Sequence, residues 1–121
     1  MESEFSAAHK LRGYDGDCER LHGHNYRVAA TVVGEALEDS GMLVDFRVLR
    51  EALSSVLGEL DHRCLNDDVP AFGSGGANPT AENIARWTAE ELRARLPRSV
   101  RVARVTVWES ERSSAAYLPG W

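Results

Sequence analysis

The stretch Gly-His-Asn-Tyr-Arg-Val-Ala-Ala-Thr-Val-Val-Gly-Glu, GHNYRVAATVVGE, runs from Gly23 to Glu35. Tyr26, Val28, Ala30 and Val32 fall on one phase of a period of two, and Arg27 and Thr31 fall on the other. Successive side chains of a strand point to opposite faces, so the stretch reads as a half-buried strand. A shorter segment, Glu2–Ala8, alternates weakly before it and reads as a first strand. After it, Glu38-Asp-Ser-Gly41 has the composition of a turn.

Asp45 is a good N-cap for a first helix. Val48, Leu49, Ala52, Leu53, Val56, Leu57 and Leu60 then recur in steps of one, three and four, which draws one apolar stripe. Val69–Pro79 is glycine-rich and reads as a flexible connector, because no GK[ST] follows as a phosphate loop requires. Thr80 caps a second helix with Glu82 in its first turn. Ile84, Trp87, Thr88, Leu92 and Leu96 form its inner face, and Pro97 stops it. Val100–Glu109 is a third strand whose alternation slips after Val102, which predicts a bulge near Ala103. Ser114–Leu118 is a fourth. The order ββααββ, with amphipathic strands, predicts an α+β fold: an antiparallel four-stranded sheet carrying two helices on one face.

The chain has 121 residues, enough for one domain spanning residues 1–121 with a real core. Its net charge of −5, with Lys10 the only lysine, argues against a nucleic-acid binder, which normally shows a basic face. No stretch approaches the roughly 20 apolar residues of a membrane span. The opening MESEFSAAHK lacks the basic and apolar regions of a signal peptide, so a cytoplasmic location is expected. Cys18 and Cys64 could pair, but two reduced thiols are the plainer expectation.

Three of the four histidines invite a metal. His22 and His24 lie two apart at the start of a strand, hence on one face, and Gly23 between them permits close backbone approach. His9 ends the first predicted strand, which can pair beside the second. Three imidazoles suit zinc, and three protein ligands leave the open fourth position of a catalytic site. Other readings of the same residues are a turn with surface histidines, or a closed site with Cys18 as fourth ligand. Cys18 could instead be a thiolate base, its pKa lowered by zinc and imidazolium; Glu19 beside it is a spare carboxylate. Cys64, at a helix exit, reads as a packed apolar thiol. Asp61 can orient His62, although adjacent side chains often diverge. A carboxylate at Glu109 can accept two parallel N–H bonds from the edge of a guanidine-like ring.

FSAAHKL (5–11), CERLHGHNY (18–26), VDFRVLR (44–50), LDHRCLN (60–66), NPTAEN (78–83) and VTVWES (105–110) together resemble the 6-pyruvoyltetrahydropterin synthase family, in order and over nearly the whole chain. Each motif is weak alone; six in register are specific. The resemblance implies a tunnelling fold, trimers joined through their sheets, and two trimers stacked into a homohexamer with active sites between subunits. It implies Zn2+ held by His9, His22 and His24. It implies Cys18 as catalytic base, Asp61 and His62 as a proton relay supplied from a neighbouring subunit, Glu109 as the pterin anchor, and Thr80 in the wall of the pterin pocket. The substrate it implies is 7,8-dihydroneopterin triphosphate.

Family members differ in what they do with that substrate. One branch eliminates triphosphate to give a pyruvoylpterin. The other also breaks a carbon–carbon bond, releasing acetaldehyde and 6-carboxytetrahydropterin on the way to 7-deazapurines such as queuosine. Three residues separate Cys18 from His22, fewer than in the animal pyruvoyl enzymes. The short gap and compact chain favour the carboxy branch. A catalytically silent, zinc-stapled oligomer is the contrasting expectation from another class. Lys10, Arg12, Arg20 and Arg63 are the nearby cations that could meet phosphate. Glu19 is a second candidate for the base, because some family members use an acid near this position; Cys18 is favoured.

Overall fold

The computed structural model describes residues 1–13 and 20–120. Strand β1 (Glu2–His9) pairs antiparallel with β2 (His22–Val33), β2 with β4 (Arg101–Trp108), and β4 with β5 (Ser114–Tyr117). The antiparallel four-stranded sheet expected from the alternation is therefore present. A fifth member was not expected: β3 (Arg63–Cys64) adds to the outer edge of β1 as a parallel strand of two residues, giving the order β3-β1-β2-β4-β5. Two residues are too few to leave a periodic signal in the sequence.

Helices α1 (Phe46–Gly58) and α3 (Ala81–Ala94) cover one face of the sheet, and a single-turn helix α2 (Leu65–Asp68) with a 3-10 turn (Pro70–Phe72) lies between them. Both long helices begin at the predicted caps. The Asp45 carboxylate accepts from the Arg47 N–H at 2.8 Å, and the Thr80 hydroxyl accepts from the Asn83 N–H at 3.1 Å. Leu49, Leu53, Val56 and Leu57 of α1 are buried, as are Ile84, Ala85, Thr88, Ala89 and Leu92 of α3. Val48 was expected in the apolar stripe but is 44% exposed, because it sits on the stripe's flank. The core is completed from the sheet by Phe5, Tyr26, Val28, Val105 and Val107; the Phe5 and Tyr26 rings stack at 4.6 Å.

The slip in the β4 pattern is a bulge. Thr31 opposes Arg104 and Val32 opposes Val102, so Ala103 is the extra residue. That one insertion returns both Val102 and Val105 to the core face. The glycine-rich segment corrects a different expectation. It is hydrogen-bonded, not a slack connector: Gly76 N–H donates to Gly73 O at 2.8 Å and Ala77 N–H to Ala71 O at 2.9 Å. Gly76 is required there, since a Cβ would stand 2.5 Å from the Ala71 carbonyl oxygen.

Leu53 is fully buried where α1 meets the sheet. Leu53→Ala should lower the unfolding free energy by about 2–5 kcal/mol, read from the urea midpoint at unchanged slope.

Candidate functional site

The β1–β2 register builds the site. His9 stands directly opposite His22, and Ala7 opposite His24. Cross-strand partners share a face, and so do residues two apart on one strand. The three imidazoles therefore converge on the core face at the loop end of the hairpin, in the same row as Tyr26, Val28 and Ala30. Their ring centroids lie 4.6, 4.8 and 5.1 Å apart, and one nitrogen from each falls within 4.8 Å of the others.

Hydrogen bonds on the far side of the rings assign the protons. His9 Nδ1 lies 2.7 Å from the Pro79 carbonyl oxygen, and His22 Nδ1 lies 2.6 Å from that of Arg20. A carbonyl only accepts, so both rings carry their proton on Nδ1. Their Nε2 lone pairs then face each other at 3.1 Å. Two lone pairs at that distance repel unless a cation lies between them. His24 Nε2 is buried with no hydrogen-bond partner among the described residues. A buried, unpaired acceptor is costly in a folded protein, and a metal ion would satisfy it. Burial holds both His9 and His24 below the ordinary imidazole range, which keeps them in the neutral form that ligates. The three residues fit a metal of the zinc type.

Glu109 comes to the same place from β4. Its Oε1 is 3.8 Å from His9 Nε2, and its backbone N–H closes the β4–β5 turn on Ser113 O at 3.1 Å. The carboxylate is 30% exposed, so one end faces the imidazoles and the other is open to a ligand. Tyr26 was missed as a neighbour of the site. Its hydroxyl is 3.2 Å from His9 Nδ1, and burial pushes its phenol far above its ordinary pKa, so it stays neutral. Its place on the same phase as His22 and His24 was the available signal. Thr80 follows Pro79, whose carbonyl holds His9, and its hydroxyl oxygen is engaged as the α3 cap.

Asp61 and His62 form a dyad in spite of being adjacent. Asp61 Oδ1 accepts from the Ser6 N–H at 2.8 Å, and Oδ2 lies 3.0 Å from His62 Nδ1. The Ser6 N–H, and then His62, hold the Asp61 carboxyl below the usual carboxylate range. His62 N–H donates to Ser6 O at 2.6 Å, and its φ is +58°, a left-handed conformation that few non-glycine residues adopt. That backbone turns the His62 side chain out to 83% exposure. A cleft of about 530 Å3 opens beside it, lined by Ser6, Ala8, Gly23, His24, Asn25 and His62 among others. Cys64, expected in the core, is a partly exposed free thiol on β3 bordering this cleft, because its strand is the sheet edge. Cys18 and Glu19 lie outside the described residues.

Residues 1–119 match the family model described as 6-pyruvoyl tetrahydropterin synthase. The chain belongs to that family. It is 37% identical over 107 residues to a Pyrococcus furiosus dihydroneopterin monophosphate aldolase, covering 88% of this chain and 84% of the relative. It is 36% identical to the Bacillus subtilis 6-carboxy-5,6,7,8-tetrahydropterin synthase, covering 98% of this chain and 82% of the relative. Caenorhabditis elegans 6-pyruvoyl tetrahydropterin synthase has the same fold at a TM-score of 0.87 and 30% identity, with 99% of this chain and 93% of that one covered. A family of enzymes with one fold thus carries three different reaction names, and the side chains must decide between them.

The strained backbone of His62 can be tested without its imidazole. His62→Gly should be more stable than His62→Ala by about 1 kcal/mol in chemical unfolding, because only glycine is free of the left-handed penalty.

Proposed function

We propose that this protein is a zinc-dependent 6-carboxy-5,6,7,8-tetrahydropterin synthase, a lyase that takes 7,8-dihydroneopterin triphosphate and water to 6-carboxytetrahydropterin, acetaldehyde and triphosphate. The observation that carries the reading is the inward-facing set of His9, His22 and His24, with His24 Nε2 unpartnered and the Glu109 carboxylate beside it. Relatives named for this reaction support the branch, at 36% identity in Bacillus subtilis and 38% in Synechocystis. The short Cys18–His22 spacing supports it too.

Zinc bound by the three imidazoles supplies a Lewis acid for the hydroxyls of the substrate side chain. Glu109 accepts hydrogen bonds from the guanidine-like edge of the pterin and fixes the ring, with Thr80 in the pocket wall. Cys18, as thiolate, removes the proton from the side-chain carbon next to the ring. His62, held in place by Asp61, returns a proton further along the side chain. An exposed dyad on a sheet edge suits service to a neighbouring copy, and the homohexamer with intersubunit sites is part of the proposal. The chain is one domain, acts in the cytoplasm, and its product feeds 7-deazapurine synthesis. No nucleic acid or membrane takes part.

The aldolase relative favours a second reading. A retro-aldol cleavage instead takes the proton of a side-chain hydroxyl, breaks the bond between the first two side-chain carbons, returns a proton to the carbon left on the ring, and leaves the phosphate on a two-carbon aldehyde. Elimination to pyruvoylpterin is the third outcome. Products from purified protein and dihydroneopterin triphosphate separate them: acetaldehyde with carboxypterin is expected. A phosphorylated two-carbon aldehyde, pyruvoylpterin without acetaldehyde, or no turnover by zinc-loaded protein would each reject the carboxy assignment. In the same assay Cys18→Ala should keep its zinc and lose at least a hundredfold in kcat, whereas His24→Ala should lose the metal as well. Zinc loss from Cys18→Ala would make the thiol a ligand instead.

Glu109→Ala should weaken pterin binding about tenfold to a hundredfold, because it removes two charge-assisted hydrogen bonds. Calorimetric titration with a non-reacting pterin reads this directly, and unchanged affinity would remove Glu109 from the pocket.

A further inference from the structure

The segment that follows His9 is fastened in an unusual way. Asn66 Oδ1 accepts from the Lys10 N–H at 2.9 Å, and its Nδ2 donates to Lys10 O at 3.0 Å. Two residues on, Asn78 repeats the pattern with Arg12: N–H to Oδ1 at 2.9 Å, Nδ2 to Arg12 O at 3.1 Å. Each asparagine amide thus mimics the paired donor and acceptor of a neighbouring strand. The Arg12 guanidinium then spans to Phe72 O at 2.8 Å, Gly76 O at 3.3 Å and Ala77 O at 2.7 Å. Asn78 O in turn accepts from Asn83 Nδ2 at 2.9 Å, in the capped first turn of α3.

These bonds close a ring through the candidate metal site. Residues 9–12 form one side and residues 76–79 the other. Arg12 and Asn78 join them at one end, and His9 Nδ1 with Pro79 O joins them at the other. The carbonyl that orients the His9 ring belongs to the residue after Asn78, so its position is set by the same bonds that fix the chain after His9. We infer that Arg12 and Asn78 are positioning residues for His9: they form a brace that presents its Nε2 to the metal. The inference rests on the metal reading given above.

The chemistry matches the residue types. Only arginine offers five donors in a planar fork able to span three separated carbonyls, whereas the three donors of a lysine radiate from a single nitrogen. Only an amide both donates and accepts along one edge, so aspartate at 78 keeps half of the pairing. Outer hydrogen bonds that hold a ligand imidazole typically contribute ten- to a hundredfold to metal affinity.

The test is zinc affinity of the intact protein, measured by competition with a chromophoric chelator, beside the thermal midpoint of the metal-free form. Arg12→Ala and Asn78→Ala should bind zinc about 10–100-fold more weakly. Val102→Ala, a core change on β4, serves as a control that lowers stability without touching the brace, and it should bind zinc like the parent. Arg12→Lys and Asn78→Asp should fall between parent and alanine, and they carry the comparison if an alanine variant does not fold. Brace variants with parental affinity at a stability loss like that of Val102→Ala would overturn the inference and leave the metal reading standing. A parent protein whose zinc binding is absent, or unaffected by His24→Ala, would overturn the metal reading and the inference with it.

Discussion

The register of β1 against β2 is the constraint on which the rest depends. Opposing His9 to His22 brings imidazoles from two consecutive strands to one point, and the period of two adds His24. The same register seats Tyr26 opposite Phe5 in the core. A slip of one residue would send the apolar row of β2 to the solvent face and disperse the histidines together. The core therefore enforces the site: the pairing that buries Tyr26, Val28 and Ala30 is the pairing that gathers the three imidazoles. The cost of a misplaced histidine falls on packing free energy, which is large, and not only on metal binding.

That coupling explains what could be read from the sequence. The half-buried strand, the two capped helices, the bulge at Ala103 and the convergence of His9, His22 and His24 all follow from local periodicity plus one assumed pairing. Glu109 could be singled out as a strand-end acid, but its approach to His9 needed the β2–β4 register as well. What was illegible lacks a period. The two-residue strand Arg63–Cys64 is defined by its neighbour β1, and so is the exposure of Cys64. The order within Val69–Pro79 is completed by Arg12, some sixty residues away. Glycine content signals freedom in the unfolded chain and says nothing of the guanidinium that removes it. The Asn66 and Asn78 grips look like ordinary turn asparagines in sequence, because each partner is long-range.

The two groups of candidate residues are built on opposite principles. His9 is buried, its ring held by a backbone carbonyl within a closed set of hydrogen bonds. His62 is exposed, tied among the described residues through Asp61 and its own N–H, and held at a left-handed φ that few side chains other than glycine adopt. Rigidity suits a ligand set, since an ion tolerates little error in nitrogen position. A group that must exchange protons with a substrate needs access to that substrate and a fixed direction.

The strain at His62 gains meaning from its position. Of the described residues other than glycine, only His62 has a positive φ, and it follows the Asp61 that is pinned to β1. Relaxing that backbone would cost the N–H bond to Ser6 and the pairing with Asp61 together. Strain of this kind persists only where surrounding bonds over-determine it, and it concentrates where a side chain must be aimed. Here it aims an imidazole away from its own core and past the sheet edge, toward the cleft beside β1. An imidazole aimed this way is open to a substrate on that edge, which is what the proposed sharing of sites between copies asks of it.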